Sequence, residues 1–227
     1  MLKNLIHIIL IVFCSSCDLR TAEDYYNLAY DLEEKGKFQE AIKFLDKAIE
    51  KRPNFRPALL NRGGDKSILE DYEGAIKDYE KILEFDSDNT LALMNIGNNF
   101  KRLNQYEKAI NYYTKALKTK GAIKSDSMYV ELKLSKDFDI DSDYYIRKYE
   151  IKYERGIVYA KNSQHELAIE DLKEVITHNY EKANSLIWIG EAYLAIKDTL
   201  NAIKNLQESA DMGMLDAKEL LNRIKHK

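Results

Sequence analysis

The stretch YEKAINYYTKAL at residues 106–117 restates, with few changes, the stretch YEGAIKDYEKIL at residues 72–83. Self-similarity at a fixed period marks a chain built from copies of one supersecondary unit. The alanine of each A-I pair serves as a ruler: Ala41, Ala75, Ala109, Ala168 and Ala202 stand at steps of 34, 34, 59 and 34 residues. A second ruler, Ala29, Gly63, Gly97, Gly156 and Gly190, keeps the same steps, and the long one is a period with 25 residues added. Two independent positions in one register define five repeats, at 22–55, 56–89, 90–123, 149–182 and 183–214, with an insertion at 124–148.

Apolar residues recur at helical spacing inside each repeat, as at Ile76, Tyr79, Ile82 and Leu83, so each half reads as an amphipathic helix. Small residues at the Gly63 and Ala75 places let two helices approach closely, where a larger side chain would overpack by about 1–3 kcal/mol. One such pair cannot bury its own apolar face, so the pairs must stack into a solenoid. The two prolines agree: Pro53 falls at an expected helix end and Pro57 in the first turn of the next helix. After the fifth repeat, Gly213 is placed as a helix C-cap. A last helix within 215–227 follows, apolar at Ala217, Leu220, Leu221 and Ile224 and polar elsewhere, as a terminal cap requires. The expected fold is all-α: five helix pairs, a capping helix, and a non-helical insertion between the third and fourth repeats.

This pattern resembles the tetratricopeptide repeat, whose consensus runs W-x2-L-G-x2-Y, then A-x3-F, then P. The first repeat matches with Tyr25, Leu28, Ala29, Leu32, Ala41, Leu45, Ala48 and Pro53. The third matches with Leu93, Ile96, Gly97, Phe100, Ala109, Tyr113 and Ala116, and the fifth with Leu186, Ile189, Gly190, Tyr193, Ala202 and Leu206. The second is looser, with Arg62 and Lys66 where apolar residues are usual. The resemblance is specific for fold and weak for function, because one fold serves many partners.

The first 16 residues, MLKNLIHIILIVFCSS, have Lys3 as their one charged side chain, then an apolar run and small residues. That layout is a secretory signal peptide, too short for a comfortable membrane span. CSSC then resembles a bacterial lipobox, with Ser15 and Ser16 before Cys17 as the lipidated residue; Cys14 stands where Leu, Val or Ile is usual. Residues 17–21 would form a lipid-anchored linker before the solenoid. Both cysteines lie in this region, so the folded part holds no intramolecular disulfide. The expected location is outside the cytoplasm, tethered by lipid to a bacterial membrane, more naturally the outer one, facing periplasm or cell surface.

Little in the sequence points to catalysis, and neither enzyme activity nor a cofactor is expected. The four histidines, His7, His165, His178 and His226, form no pair at metal-ligand spacing, and the chain has no nucleophile elbow or phosphate-cradling glycine loop. A net charge of −3 gives no basic field for nucleic acid. The aspartates of DFDIDSD, at Asp137, Asp139, Asp141 and Asp143, alternate as calcium ligands do, but Ser142 and Lys148 replace the Gly and Glu an EF-hand needs. They read more simply as inward Phe138 and Ile140 flanked by residues that cap the next helix. Upstream, MYVELKL at 128–134 alternates with a strand period, an expected extended arm along the solenoid. From residue 144 the period turns helical, so the next helix is expected to start near Asp143 and to run to about Lys161.

The resemblance implies a concave groove lined by the first helix of each repeat. Its sixth places hold Asn27, Asn61, Asn95, Glu154 and Trp188, and its ninth places Tyr30, Gly64, Asn98, Ile157 and Glu191. Stacked asparagines both donate and accept, which suits a peptide backbone. Tyr26 and Tyr153 at fifth places and the lone Trp188 add aromatic lining, Trp188 being the candidate anchor. Arg102 lies at the inner face of the third repeat beside Lys101. Chaperone-binding members of the family clamp a C-terminal carboxylate with Lys, Asn and Arg. Here those places hold Tyr26, Tyr30, Asn61, Leu91 and Asn95, so no chaperone-tail clamp is expected. The implied function is a protein-binding scaffold with a protein or peptide partner. Two narrower alternatives are a pilot or assembly lipoprotein of an envelope machine and, more remotely, calcium binding through 137–143.

Overall fold

Each half-repeat closes into one helix. The computed structural model describes residues 18–123 and 145–226. The pairs are α1 (Ala22–Glu33) with α2 (Phe38–Lys51), α3 (Arg56–Ile68) with α4 (Tyr72–Phe85), and α5 (Thr90–Arg102) with α6 (Tyr106–Ala116). After the insertion come α7 (Lys148–Lys161) with α8 (His165–Thr177), α9 (Lys182–Ala195) with α10 (Thr199–Asp211), and the capping helix α11 (Leu215–Lys225). Short turns make each pair antiparallel and each helix packs on the next, so the chain is an all-α solenoid. No helix among the described residues is long and apolar enough to cross a membrane.

The glycine ruler has a steric cause. A Cβ built on Gly63, Gly97, Gly156 or Gly190 would fall 2.7, 2.7, 2.7 and 2.6 Å from a side chain of the partner helix: Tyr79, Tyr113, Leu172 and Leu206. Each partner lies 16 residues on, so the four glycines occupy equivalent places. The first repeat puts Ala29 and Leu45 there, both fully buried.

The turn inside every repeat is also periodic. Gly36, Glu70, Asn104, Ser163 and Lys197 all adopt positive φ, from 57° to 69°. The residue after each donates its backbone N–H to the carbonyl five positions back, as in Asp71 to Lys66 at 2.8 Å and Gln105 to Phe100 at 2.9 Å. This is the Schellman closure, which satisfies a carbonyl that the helix end would otherwise orphan.

The looser second repeat is looser for a reason. Arg62 spans from Asp46 (2.6 Å) to Asp78, and Lys66 reaches Asp78 at 2.8 Å; Asp78 is only 3% exposed. The fourth repeat builds the same bridge, Arg155 gripping Asp171 with two bonds of 2.7 and 2.9 Å. An ion pair thus replaces the apolar contact at matching places of two repeats.

One buried cluster runs from Leu59 of α3 to Val158 of α7, so the insertion does not interrupt the stack. The insertion's ends are stapled by a two-residue parallel pair, β1 (Ala122–Ile123) with β2 (Ile146–Arg147), in the register Ala122 to Ile146. Helix α7 therefore starts at Lys148, not near Asp143: Ile146 and Arg147 are held extended by this pairing, with Ile146 N–H donating to Gly121 O at 2.9 Å. The leader with Cys17, the alternating stretch at 128–134 and the aspartates Asp137, Asp139, Asp141 and Asp143 lie outside the described residues. At the other end Gly213 takes φ 97°, and α11 buries Ala217 and Leu221 against Leu206 and Ala210 of α10.

Candidate binding groove

An opening lies between the second and third repeats. This cavity of about 580 Å³ is lined by Gly64, Ser67 and Ile68 of α3, Asn95, Asn98 and Arg102 of α5, with Tyr72 and Tyr79 of α4 and Glu154 of α7 at its edges. Three of the sequence-derived groove residues, Asn95, Asn98 and Arg102, meet here, and Glu154 joins them through its ion pair with Lys101.

Its polar groups are partly committed. Tyr113 donates its hydroxyl to Asn98 Oδ1 at 2.7 Å, which leaves the Asn98 NH₂ group free to donate. The exposed Arg102 has no ion pair among the described residues. Asn99, behind them, is 3% exposed and satisfied: Ser67 donates to its Oδ1 at 2.8 Å, and its NH₂ donates to Asn95 O at 2.8 Å. Burial pushes the Tyr79 hydroxyl up to about 12 and the Tyr113 hydroxyl further, so both stay protonated donors. The opening therefore offers the N–H groups of Asn98 and Arg102 to an acceptor-rich guest, as a peptide backbone is.

Gly64 shapes this opening. A Cβ there would meet nothing nearer than the Tyr79 hydroxyl at 4.0 Å, so no packing demand explains the glycine. It nonetheless costs the helix roughly 1 kcal/mol relative to Ala. Its effect is to leave a notch where Tyr30, Asn98, Ile157 and Glu191 stand in the other repeats.

The remaining predicted residues fall elsewhere. Asn27 and Tyr30 are exposed on α1, and Tyr26 is half-buried with its ring edge-on to Phe55 at 5.7 Å. Asn61 is not free: its NH₂ donates to Glu33 at 2.8 Å. The asparagine ladder is thus broken at its second rung. Tyr153 packs edge-on against Tyr180 at 5.6 Å, and burial pushes its hydroxyl up to about 12. Trp188 is half-buried, with Lys161 over its ring at 6.0 Å. With Glu191, whose carboxyl is raised by burial, it lines a second cleft of about 370 Å³ closed by Asp216, Glu219 and Arg223 of α11.

Sequence reading missed Ser67, Tyr72 and Tyr79 as lining. They sit at the twelfth place of a first helix and on a second helix, outside the expected inner-face positions. Gly64 is where the sequence places it, at the ninth position of the second repeat's first helix. Among the described residues no three acidic, histidine or cysteine side chains cluster as a metal site would require.

Family models of the tetratricopeptide repeat match residues 22–55, 90–120 and 153–217, together more than half of the chain. The unmatched second repeat is the one that carries Arg62, Lys66 and Gly64. No curated protein matches the chain. Among solved structures, YrrB, described as a TPR protein with an unusual peptide-binding site, superposes with TM-score 0.68 at 19% identity, covering 91% of this chain and 92% of its own. MamA from Desulfovibrio magneticus RS-1 gives 0.68 at 16% identity over 91% and 97%. PilW, described as a widely conserved type IV pilus biogenesis factor, gives 0.62 at 18% identity over 86% and 79%. Likeness at these identities establishes a common fold.

Proposed function

The chain belongs to the tetratricopeptide-repeat family, and from that premise we propose that it is a non-catalytic scaffold that holds an extended segment of a partner protein in its groove. The observation that carries this reading is the notch at Gly64, a helix weakened without any packing need beside unspent donors on Asn98 and Arg102. A partner backbone crossing the third repeat would accept from Asn98, while one of its side chains enters the notch.

Photo-crosslinking from Asn95 in living cells tests this. A defined product is expected from Asn95, none from Lys47 on the outer helix α2, and loss of the Asn95 product when Gly64→Leu fills the notch. Equal products from Asn95 and Lys47, or no effect of Gly64→Leu in a folded protein, would overturn it.

The same proposal includes a lipid anchor at Cys17, supported by the signal-like leader and the two serines before it. Cys17→Ser is expected to move the protein from the membrane to the soluble fraction; unchanged fractionation sinks the anchor without touching the groove. The narrower reading, a pilot or assembly lipoprotein of an envelope machine, is favoured by the exported leader combined with a fold shared with a pilus biogenesis factor. A pilus or β-barrel component recovered at the Asn95 crosslink would single it out.

A further inference from the structure

Two carboxylates at the junction of the first and second repeats have buried oxygens with no hydrogen-bond partner among the described residues. Asp65 is 4% exposed and its Oδ2 has no hydrogen-bond partner; Glu33 has one oxygen bonded to Asn61 at 2.8 Å and the other, Oε1, buried without one. The repeat itself says that they face each other. Glu33 and Asp65 occupy the twelfth and tenth places of consecutive first helices, 32 residues apart, as Ser67 and Asn99 do one repeat later. That second pair is in contact, with Ser67 donating to Asn99 at 2.8 Å. Where the Ser67–Asn99 pair is neutral and satisfied, its counterpart is two acids.

Among the described residues, none supplies a positive charge to Asp65. From its own helix, Arg62 and Lys66 are turned to Asp78, and from α2 Asp46 is taken up by Arg62. From α4 comes the neutral Tyr79 beside Asp78, from α5 the amides Asn95 and Asn99, and from α1 only Glu33, with Glu34 acting on it in turn. Two ionised carboxylates in such a place repel each other and forfeit hydration.

We propose that Asp65 and Glu33 form a proton-operated latch between the first two repeats, closed on Asn61 while Asp65 carries a proton and released when it loses it. Burial raises the Glu33 carboxyl too, but the Asn61 amide supports its charge as nothing does for Asp65, so Glu33 ionises first. Asp65 then keeps its proton, and a neutral carboxyl can donate to the unsatisfied oxygen of its neighbour. On deprotonation the like charges drive Glu33 toward solvent and free the Asn61 amide into the groove.

The direction of the pH effect follows. Burial, then the Glu33 charge, raise the Asp65 carboxyl from 3.8 to about 7. A raised acid favours the folded state below its ordinary range. That advantage is lost as pH climbs from about 4 to about 7 and is flat above, where both states are ionised. The groove's first half is thereby linked to the acidity around it, independently of which partner it holds.

The test is a carboxyl-carbon NMR titration of the full chain between about pH 4 and pH 9, with the Asn61 side-chain amide followed in parallel. Asp65 is expected to titrate near neutrality and the Asn61 signals to shift with the same midpoint. In Asp65→Asn the Asn61 transition should vanish, and the fall in Tm between about pH 4 and about pH 7 should shrink by roughly 10 °C. An Asp65 midpoint in the ordinary carboxylate range, or Asn61 signals indifferent to pH, overturns the latch in the wild-type protein alone, whatever the variant's stability. Failure here leaves the Asn95 crosslink intact, and loss of that crosslink leaves the titration unaffected.

Discussion

Gly63 and Gly64 are neighbours with opposite duties. At Gly63 an added methyl would press on the buried Tyr79 ring at 2.7 Å, whereas at Gly64 it would meet open space. Gly63→Ala is therefore expected to lower stability by roughly 1–2 kcal/mol, overpacking outweighing the gain in helix propensity. Gly64→Ala should raise it by up to about 1 kcal/mol. Chemical denaturation of the two variants decides the matter, and equal signs would contradict the geometry. The sequence showed Gly63 plainly, because three other repeats keep a glycine at its place. Gly64 was legible as a ninth-place residue of the groove, but not as a notch, since that depends on what surrounds it in space. Asp65 was the harder case: a polar residue at a packing position is visible in one dimension, but the unpartnered oxygen of its neighbour Glu33 is not.

Among the elements, the bridge from α7 to α8 makes the sharpest claim. Arg155 and Asp171 are both largely buried and doubly bonded, with Arg155 also donating to Thr114 of α6 at 3.0 Å. Arg155→Met should cost about 3–5 kcal/mol by stranding the Asp171 carboxylate, while the double change Arg155→Met with Asp171→Leu should recover most of that loss. A double-mutant cycle with no coupling would refute the assignment. Helix boundaries could be read from the repeat because caps and turns recur with it. Asn89 caps α5 by accepting from Ala92 N–H at 2.8 Å, and Pro57 sits in the first turn of α3. The left-handed turn residues escaped notice, because Glu70, Ser163 and Lys197 are not the glycine or asparagine that such a backbone favours. Period, not residue type, specifies that turn. The early start assigned to α7 failed for a related reason: helical spacing in 144–148 is a local preference, and the pairing of Ile146 with Ala122 is a long-range contact that overrides it.

At the scale of the molecule, contacts run between neighbours, so the far ends of the solenoid communicate only through the stack. The cap α11 ends it by spending its apolar side on α10 and leaving its charged side wet. The number of repeats, their order and the place of the interruption were all legible, since period survives any substitution that respects size. Which stretch of the inner face forms an opening was not, because that depends on ion pairs such as Lys101–Glu154 that join residues 53 apart in the chain.

The stapled ends of the insertion carry a practical corollary. Because β1 and β2 already bring positions 122 and 146 together, the described residues close the junction between α6 and α7 by themselves. Exchanging 124–144 for a flexible spacer of about 12 residues, the least a parallel crossover tolerates, should alter stability by under about 1 kcal/mol. Calorimetry of the exchanged protein would show it, a large loss meaning that the segment braces the stack. If the expectation holds, the protein has a ready socket midway along its length, where foreign sequence can be grafted without disturbing the rods on either side.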